Sequence, residues 1–181
     1  MDETQTVKHA ETVDLPDEGG PDPQVMAAAL HAELLARKAM LASAESLTGG
    51  RLGDLLSAAP GASDTYLGGV VSYATPVKKS VLGVSDATVE GPGVVSAECA
   101  AEMATGVRDL LGADYAVSTT GVAGPTEQEG KPVGLVFIGV AGPDGVTTTR
   151  LELDGDRAEI RERTCLEAVT AVLARVVGTS G

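Results

Sequence analysis

Apolar positions recur along this chain in two alternating rhythms. From Gln24 to Lys38, Val25, Met26, Ala29, Leu30, Leu34 and Leu35 fall mostly at helical spacing after the start signal Asp22-Pro23, which predicts a first amphipathic helix. Met40-Leu41-Ala42-Ser43-Ala44 is then a short apolar run closed by Glu45-Ser46-Leu47-Thr48-Gly49-Gly50. Leu52, Leu55 and Leu56 resume helical spacing up to Pro60, so this segment reads as strand, tight turn and helix. Tyr66 to Ala74 is rich in β-formers around Gly68-Gly69 and predicts a second strand. Thr75-Pro76 opens a short helix through Leu82, and Gly91-Pro92-Gly93 marks the next loop.

Ser96, followed by Ala97-Glu98-Cys99, has the form of an N-cap with a carboxylate in the first turn. The helix it opens runs through Met103, Val107, Leu110 and Leu111 and stops at Gly112. Tyr115–Thr119, Val133–Val140 and Val146–Leu153 are three further strands, the last two joined as a hairpin around Gly142-Pro143-Asp144-Gly145. Arg157 to Val177 is a long C-terminal helix with Ile160, Leu166, Val169, Val172, Leu173 and Val176 apolar. Helices interleaved with about five strands point to an α/β fold: a three-layer α/β/α domain with a mixed, mostly parallel sheet and one late antiparallel hairpin.

Composition narrows the function. Residues 1–23 carry seven acids against Lys8 alone, with Gly19-Gly20 and three prolines, and are expected to form an acidic disordered tail ahead of a single domain over 24–181. The whole chain has a formal charge of −13, which disfavours a nucleic-acid partner because the phosphate backbone would be repelled over most of the surface. No apolar run reaches the ~20 residues that span a bilayer, and no basic-then-apolar leader is present, so no membrane association and a cytoplasmic location are expected. Cys99 and Cys165 both fall in helical stretches, without the spacing of a zinc site.

The chemistry is bounded by elimination. The histidines are His9 in the acidic tail and His31 in the first helix, so a serine nucleophile would need a lysine, tyrosine or carboxylate to take its proton. The lysines are Lys8, Lys38, Lys78, Lys79 and Lys131. Residues 124–132, GPTEQEGKP, have the outline of a phosphate loop, but five residues separate the glycines where the motif has four, and Pro132 stands where a magnesium-binding hydroxyl belongs. No GxGxxG follows a strand, so no redox cofactor is called for, and no metal cluster is implied.

Three turns each follow a strand: Ser46–Gly50, Tyr73–Lys78 and Thr119–Pro125. Ligands of open α/β sheets bind beyond the carboxyl ends of strands, so these turns are expected to converge. Ser46 is a candidate nucleophile, with the Gly49 and Gly50 N–H groups as candidate oxyanion donors. The local pattern equally describes Ser46 or Thr48 as an ordinary helix cap. Thr120, Gly121 and Gly124 would let backbone approach a substrate closely, or else simply serve turn geometry.

Eight blocks occur in a fixed order: AESLTGG (44–50), PGAS (60–63), GGVVSYATPVK (68–78), LGV (82–84), VVSAE (94–98), TGVAGP (120–125), KPVG (131–134) and GDRAEIR (155–161). Together they resemble the CinA C-terminal-domain family over nearly all of residues 25–178. That family is known for nicotinamide mononucleotide amidases, which release ammonia from the carboxamide to give nicotinate mononucleotide in pyridine-nucleotide recycling. The resemblance implies a stand-alone form of this amidase, with no cofactor, a small-molecule nucleotide substrate and a homo-oligomeric state. It places the nucleophile on Ser46, the lysine base on Lys78 and the block's tyrosine on Tyr73, whose phenol is a candidate proton relay. Thr48, Gly49, Gly50, Thr120, Gly121 and Gly124 become candidates for oxyanion and substrate binding, and Arg157 matches a family position suited to a 5′-phosphate. Lys79 is expected to be solvated.

Two departures bear on the substrate. The family's asparagine in the tyrosine block is Thr75 here, and its glycine-rich segment after AGP is Thr126-Glu127-Gln128-Glu129-Gly130. Glu127 and Glu129 would repel a phosphate if they faced it. The sequence therefore also admits an amidase for a different small carboxamide, or a catalytically silent nucleotide-binding protein.

Overall fold

The computed structural model describes residues 8–12, as backbone, and 20–178. Its strands are β1 (Lys8–Thr12), β2 (Leu41–Glu45), β3 (Tyr66–Val71), β4 (Tyr115–Gly121), β5 (Leu135–Gly142) and β6 (Gly145–Glu152). The helices are α1 (Pro23–Arg37), α2 (Arg51–Ser57), α3 (Thr75–Leu82), α4 (Asp86–Glu90), α5 (Ala97–Leu111) and α6 (Arg157–Gly178), with a 3-10 turn at Ala62–Asp64. The strands form one sheet in the order β1-β6-β5-β4-β2-β3, parallel for β2–β3, β2–β4 and β1–β6 and antiparallel for β4–β5 and β5–β6. This is the expected mixed α/β sheet with its late hairpin.

Helices cover both faces. Leu30 and Leu34 of α1, Leu52 and Leu56 of α2, and Ile160, Val169 and Val172 of α6 pack with Leu41, Val117 and Ile138 of the sheet. On the other face Leu82, Cys99, Met103 and Val107 pack with Ala42, Ala44, Ala116 and Phe137. Small residues on that second face bring α5 close. A side chain at Gly139 would run into the Ala100 carbonyl, and Ser118 Oγ donates to the same carbonyl at 2.6 Å. A core this poor in aromatics thus reaches interior density by close backbone approach rather than by large side chains.

Two local features depart from the sequence reading. Lys8–Thr12 falls in the expected disordered tail, yet its backbone pairs in parallel with the free edge of β6, Lys8 opposite Thr147 and Thr12 opposite Arg150. The rest of that expectation, at 1–7 and 13–19, lies outside the described residues. α4 is too short to show a period, and its start is set by Ser85, whose hydroxyl accepts from Thr88 N at 3.1 Å. Ser96 caps α5 as expected, accepting from Cys99 N at 3.1 Å.

The topology creates a crevice. β2 lies between β3 and β4; the connection to β3 passes through α2 on one face, and the return to β4 passes through α5 on the other. Glu45 is level with Val71 on one side and Thr119 on the other, so all three parallel strands end together. Whatever follows them meets at one switch point.

Candidate active site

Ser46, Ser72-Tyr73 and the 120–125 turn are the segments that emerge there. Ser46 N donates to Thr119 O at 2.9 Å and Ser72 N to Glu45 O at 2.8 Å, so the strand pairing extends into the turns and fixes their spacing. Above them is a cleft of about 390 Å³ lined by Ser46, Leu47, Tyr73, the 121–124 backbone, residues 126–128 and Arg157. The three turns do converge.

Lys78, on the first turns of α3, is only 1% exposed, and its chain runs under Ser46. Its Nζ lies 2.9 Å from Ser46 Oγ, 2.6 Å from Ser72 O and 3.4 Å from Tyr73 O. Burial, with no carboxylate bonded to it, holds the amine below the ordinary lysine value. A neutral amine has two protons and one lone pair. The two carbonyls accept the protons, which leaves the lone pair for the serine hydroxyl. Lys79, by contrast, is exposed and paired with Asp86.

Neither Ser46 nor Thr48 caps α2. The cap is Glu45, which sequence reasoning missed because it stands five to eight residues before the groups it serves. Its carboxylate is 2% exposed and accepts from Gly50 N (2.8 Å), Leu52 N (3.1 Å), Gly53 N (2.8 Å) and Thr48 Oγ1 (2.7 Å). A buried carboxylate bonded to a helix N-terminus is well placed, and it pins the turn that carries Ser46. The legible signal is an acid closing a short, mostly apolar strand.

This corrects the oxyanion assignment. Gly50 N–H is taken by Glu45 and Gly49 N–H donates to Ser46 O at 3.2 Å. The backbone N–H groups of Leu47, Ala123 and Gly124, which line the cleft, have no acceptor among the described residues. Both glycines are needed for conformation, with φ of 58° and 97°.

The remaining candidates divide. Thr48 is buried, bonded to Glu45 and to Thr119 Oγ1 at 2.9 Å, and Thr120 is buried with its hydroxyl on Val94 O at 2.5 Å; both support the floor of the site rather than line it. Gly121 lines the cleft, but it is glycine because a Cβ would sit 2.6 Å from Leu135 O on the neighbouring strand. Gly124 does contribute backbone to the rim. Its carbonyl accepts from Arg157 Nη1 at 2.6 Å.

Arg157 opens α6, where Asp156 accepts from Ala158 N and Glu159 N while Glu159 reaches back to Asp156 N, a reciprocal capping box. Its second donor, Nη2, reaches Tyr73 Oη at 3.0 Å, so the phenol is bonded to the arginine and not to the lysine amine expected of a relay. One helical turn on, Arg161 Nη2 donates to Thr48 O at 2.6 Å and ties α6 to the turn that carries Ser46. Arg161 is a second support that the sequence reading did not single out.

Among the described residues no group of His, Cys, Asp and Glu is placed to hold a metal, and no helix is long and apolar enough to cross a membrane. A larger cleft of about 780 Å³ lies beside α1, α2 and α6, but the titratable groups on it are carboxylates, arginines and Cys165, whose thiol burial pushes up to about 12. It has no nucleophile facing a base.

Comparison with known proteins bears on the family and the fold. A CinA-like protein of Frankia casuarinae is 51% identical over 145 residues, 80% of this chain and 34% of its own length. A CinA-like protein of Thermotoga maritima is 46% identical over 134 residues, 74% of this chain and 33% of its own. The chain thus spans about a third of the length of these curated relatives. Among solved structures, a competence-damaged protein (CinA) superfamily protein from Klebsiella pneumoniae aligns with a TM-score of 0.85 at 31% identity, covering 87% of this chain and 99% of that one. The competence/damage inducible protein CihA of Agrobacterium tumefaciens gives 0.82 at 31% identity, covering 88% and 98%. The CinA C-terminal domain profile itself matches residues 23–176, and the chain belongs to that family.

Proposed function

We propose that this protein is an amidohydrolase that cleaves the carboxamide of nicotinamide mononucleotide by a serine–lysine mechanism. The observation that carries the reading is the buried Lys78 amine, 2.9 Å from Ser46 Oγ at the floor of an open cleft. A lysine is costly to bury, and one that faces only two carbonyls and a hydroxyl is arranged as a base.

In this reading Ser46 Oγ attacks the amide carbon and its proton passes to Lys78 Nζ. The carbonyl oxygen becomes the oxyanion and is met by the Leu47 N–H, the amide that follows the nucleophile, together with Ala123 or Gly124 N–H across the cleft. Lys78 returns the proton to the departing nitrogen, ammonia leaves, and an acyl-serine ester remains. Water then attacks the ester as Lys78 takes its proton. Collapse releases the carboxylate and restores the Ser46 hydroxyl. Arg157, with Nε free of a partner among the described residues, would meet the nucleotide phosphate.

The test is ammonia release from nicotinamide mononucleotide by the parent and by Ser46→Ala, both shown folded by circular dichroism. Release by the parent and none above background by the variant is the expected result. No release by a folded parent overturns the assignment of this substrate, and equal release by both overturns the assignment of Ser46.

A further inference from the structure

We infer that the cleft selects a zwitterion, a carboxamide on a cationic ring joined to an anionic group, with Glu127 as the pole for the cation and Arg157 as the pole for the anion. This rests on the amidase reading and goes beyond it, because it assigns a binding role to a residue of the segment where this chain departs from the family's glycine-rich pattern.

Glu127 and Arg157 line the same cleft as Ser46, and no ion pair joins them. The guanidinium spends two donors on Gly124 O and Tyr73 Oη, neutral acceptors that orient it without cancelling its charge. Glu127 has no hydrogen-bond or ionic partner among the described residues. Its neighbour Glu129 is used quite differently. That carboxylate turns away from the cleft onto Val94 N and Val95 N, both at 3.4 Å, and pairs with Lys131 at 3.6 Å. Lys131 in turn donates to Pro92 O at 2.5 Å and Val95 O at 2.6 Å.

The clip at Glu129 therefore anchors one end of the segment and leaves Glu127 on the cleft side, immediately before the turn closed by the Gln128–Lys131 bridge. Of the two acids that could have repelled a phosphate, one is neutralised and outside, and the other shares the cleft with a cation. An uncompensated pair of opposite charges in one cleft is satisfied by a ligand carrying the complementary pair. A neutral ring would leave Glu127 without a partner, and a wholly anionic ligand would meet it as a like charge. With a chain charge of −13, attraction of a cation is also what the surrounding field favours.

The test is calorimetric titration in a Ser46→Ala background, where the amide survives, with three probes. Nicotinamide mononucleotide has both poles, its dihydro form keeps the phosphate on a neutral ring, and nicotinamide riboside keeps the cationic ring without the phosphate. Glu127→Gln is expected to weaken the mononucleotide and the riboside about three- to tenfold and to leave the dihydro form within about twofold. Glu127→Lys is expected to reverse the preference between cationic and neutral rings, and Arg157→Gln to spare only the riboside. Tighter mononucleotide binding by Glu127→Gln, or an equal change for all three probes, overturns the inference while leaving the amidase reading intact. Absence of mononucleotide binding to the Ser46→Ala protein overturns both.

Discussion

The floor and the rim of the cleft are built on opposite principles. The floor, at the ends of β2, β3 and β4, is buried and fully bonded: Glu45, Thr48, Lys78 and Thr119 are each no more than 2% exposed, and their contacts are to groups fixed by the strand ends and by the first turn of α2. The rim, formed by Tyr73, residues 126–128 and Arg157, is exposed, and Tyr73 is 61% so. The contrast teaches where change is tolerated. A lysine needs burial to act as a base at all, so the floor admits few alternatives, whereas charges that sort ligands act from a wet rim and can be exchanged without touching the fold.

The largest effect should come from breaking the floor. Ser46→Ala and Lys78→Ala are each expected to lower kcat/KM for amide hydrolysis by about 10³-fold or more, and the double variant should be no worse than either single one, since the two act as a unit. Steady-state ammonia assays on folded proteins check this. Multiplicative losses would mean that the residues act independently, against a shared proton transfer.

Glu45→Gln tests whether the floor depends on its buried carboxylate. One oxygen accepts three donors and the other accepts Gly53 N, so either orientation of the amide turns an –NH₂ group against an N–H. We expect a loss of about 2–3 kcal/mol in urea unfolding and a fall of about 10- to 100-fold in kcat. Unchanged stability would show that the helix cap is dispensable.

Next is pH. With Lys78 held below the ordinary lysine value by burial, kcat/KM should rise about tenfold per pH unit and level off below the pH at which a free lysine titrates. Inactivation by a serine-directed fluorophosphonate should follow the same limb. Between the folded and unfolded values the unfolded chain binds more protons, so stability rises with pH across that window, and below it a constant penalty remains. Lys78→Met is therefore expected to stabilise the fold at neutral pH while abolishing the limb. A flat profile would remove the lysine as base.

What the sequence made legible follows the same division. The five strands within residues 41–152 and the long helices announce themselves because apolar runs end at glycine, proline or a capping serine, as at Ser96 and Gly112. β1 was not legible, since Lys-His-Ala-Glu-Thr has no apolar face and its pairing depends on the edge that β6 leaves open. Ser46 and Lys78 were reached through elimination and the resemblance of the blocks around them. That the Gly50 N–H is already taken was not legible, because it depends on Glu45, whose bonds reach across the turn into the next helix. Spacing along the chain does not encode that contact.

The smallest expected effect lies at the rim, and it decides whether Tyr73 belongs to the chemistry. Its phenol is 3.0 Å from Arg157 Nη2, while only its backbone carbonyl faces Lys78 Nζ, at 3.4 Å. Tyr73→Phe removes one exposed hydrogen bond from the arginine and leaves Gly124 O in place. The loss should be worth about 0.5–1 kcal/mol, appearing as a two- to fivefold rise in KM with kcat unchanged and the pH limb unmoved. A proton relay would behave otherwise: kcat would fall by about 10²-fold and the limb would shift, because the proton path itself would be cut. The geometry of the rim predicts the first outcome, since a proton on the phenol has an arginine beside it, and arginine does not accept one.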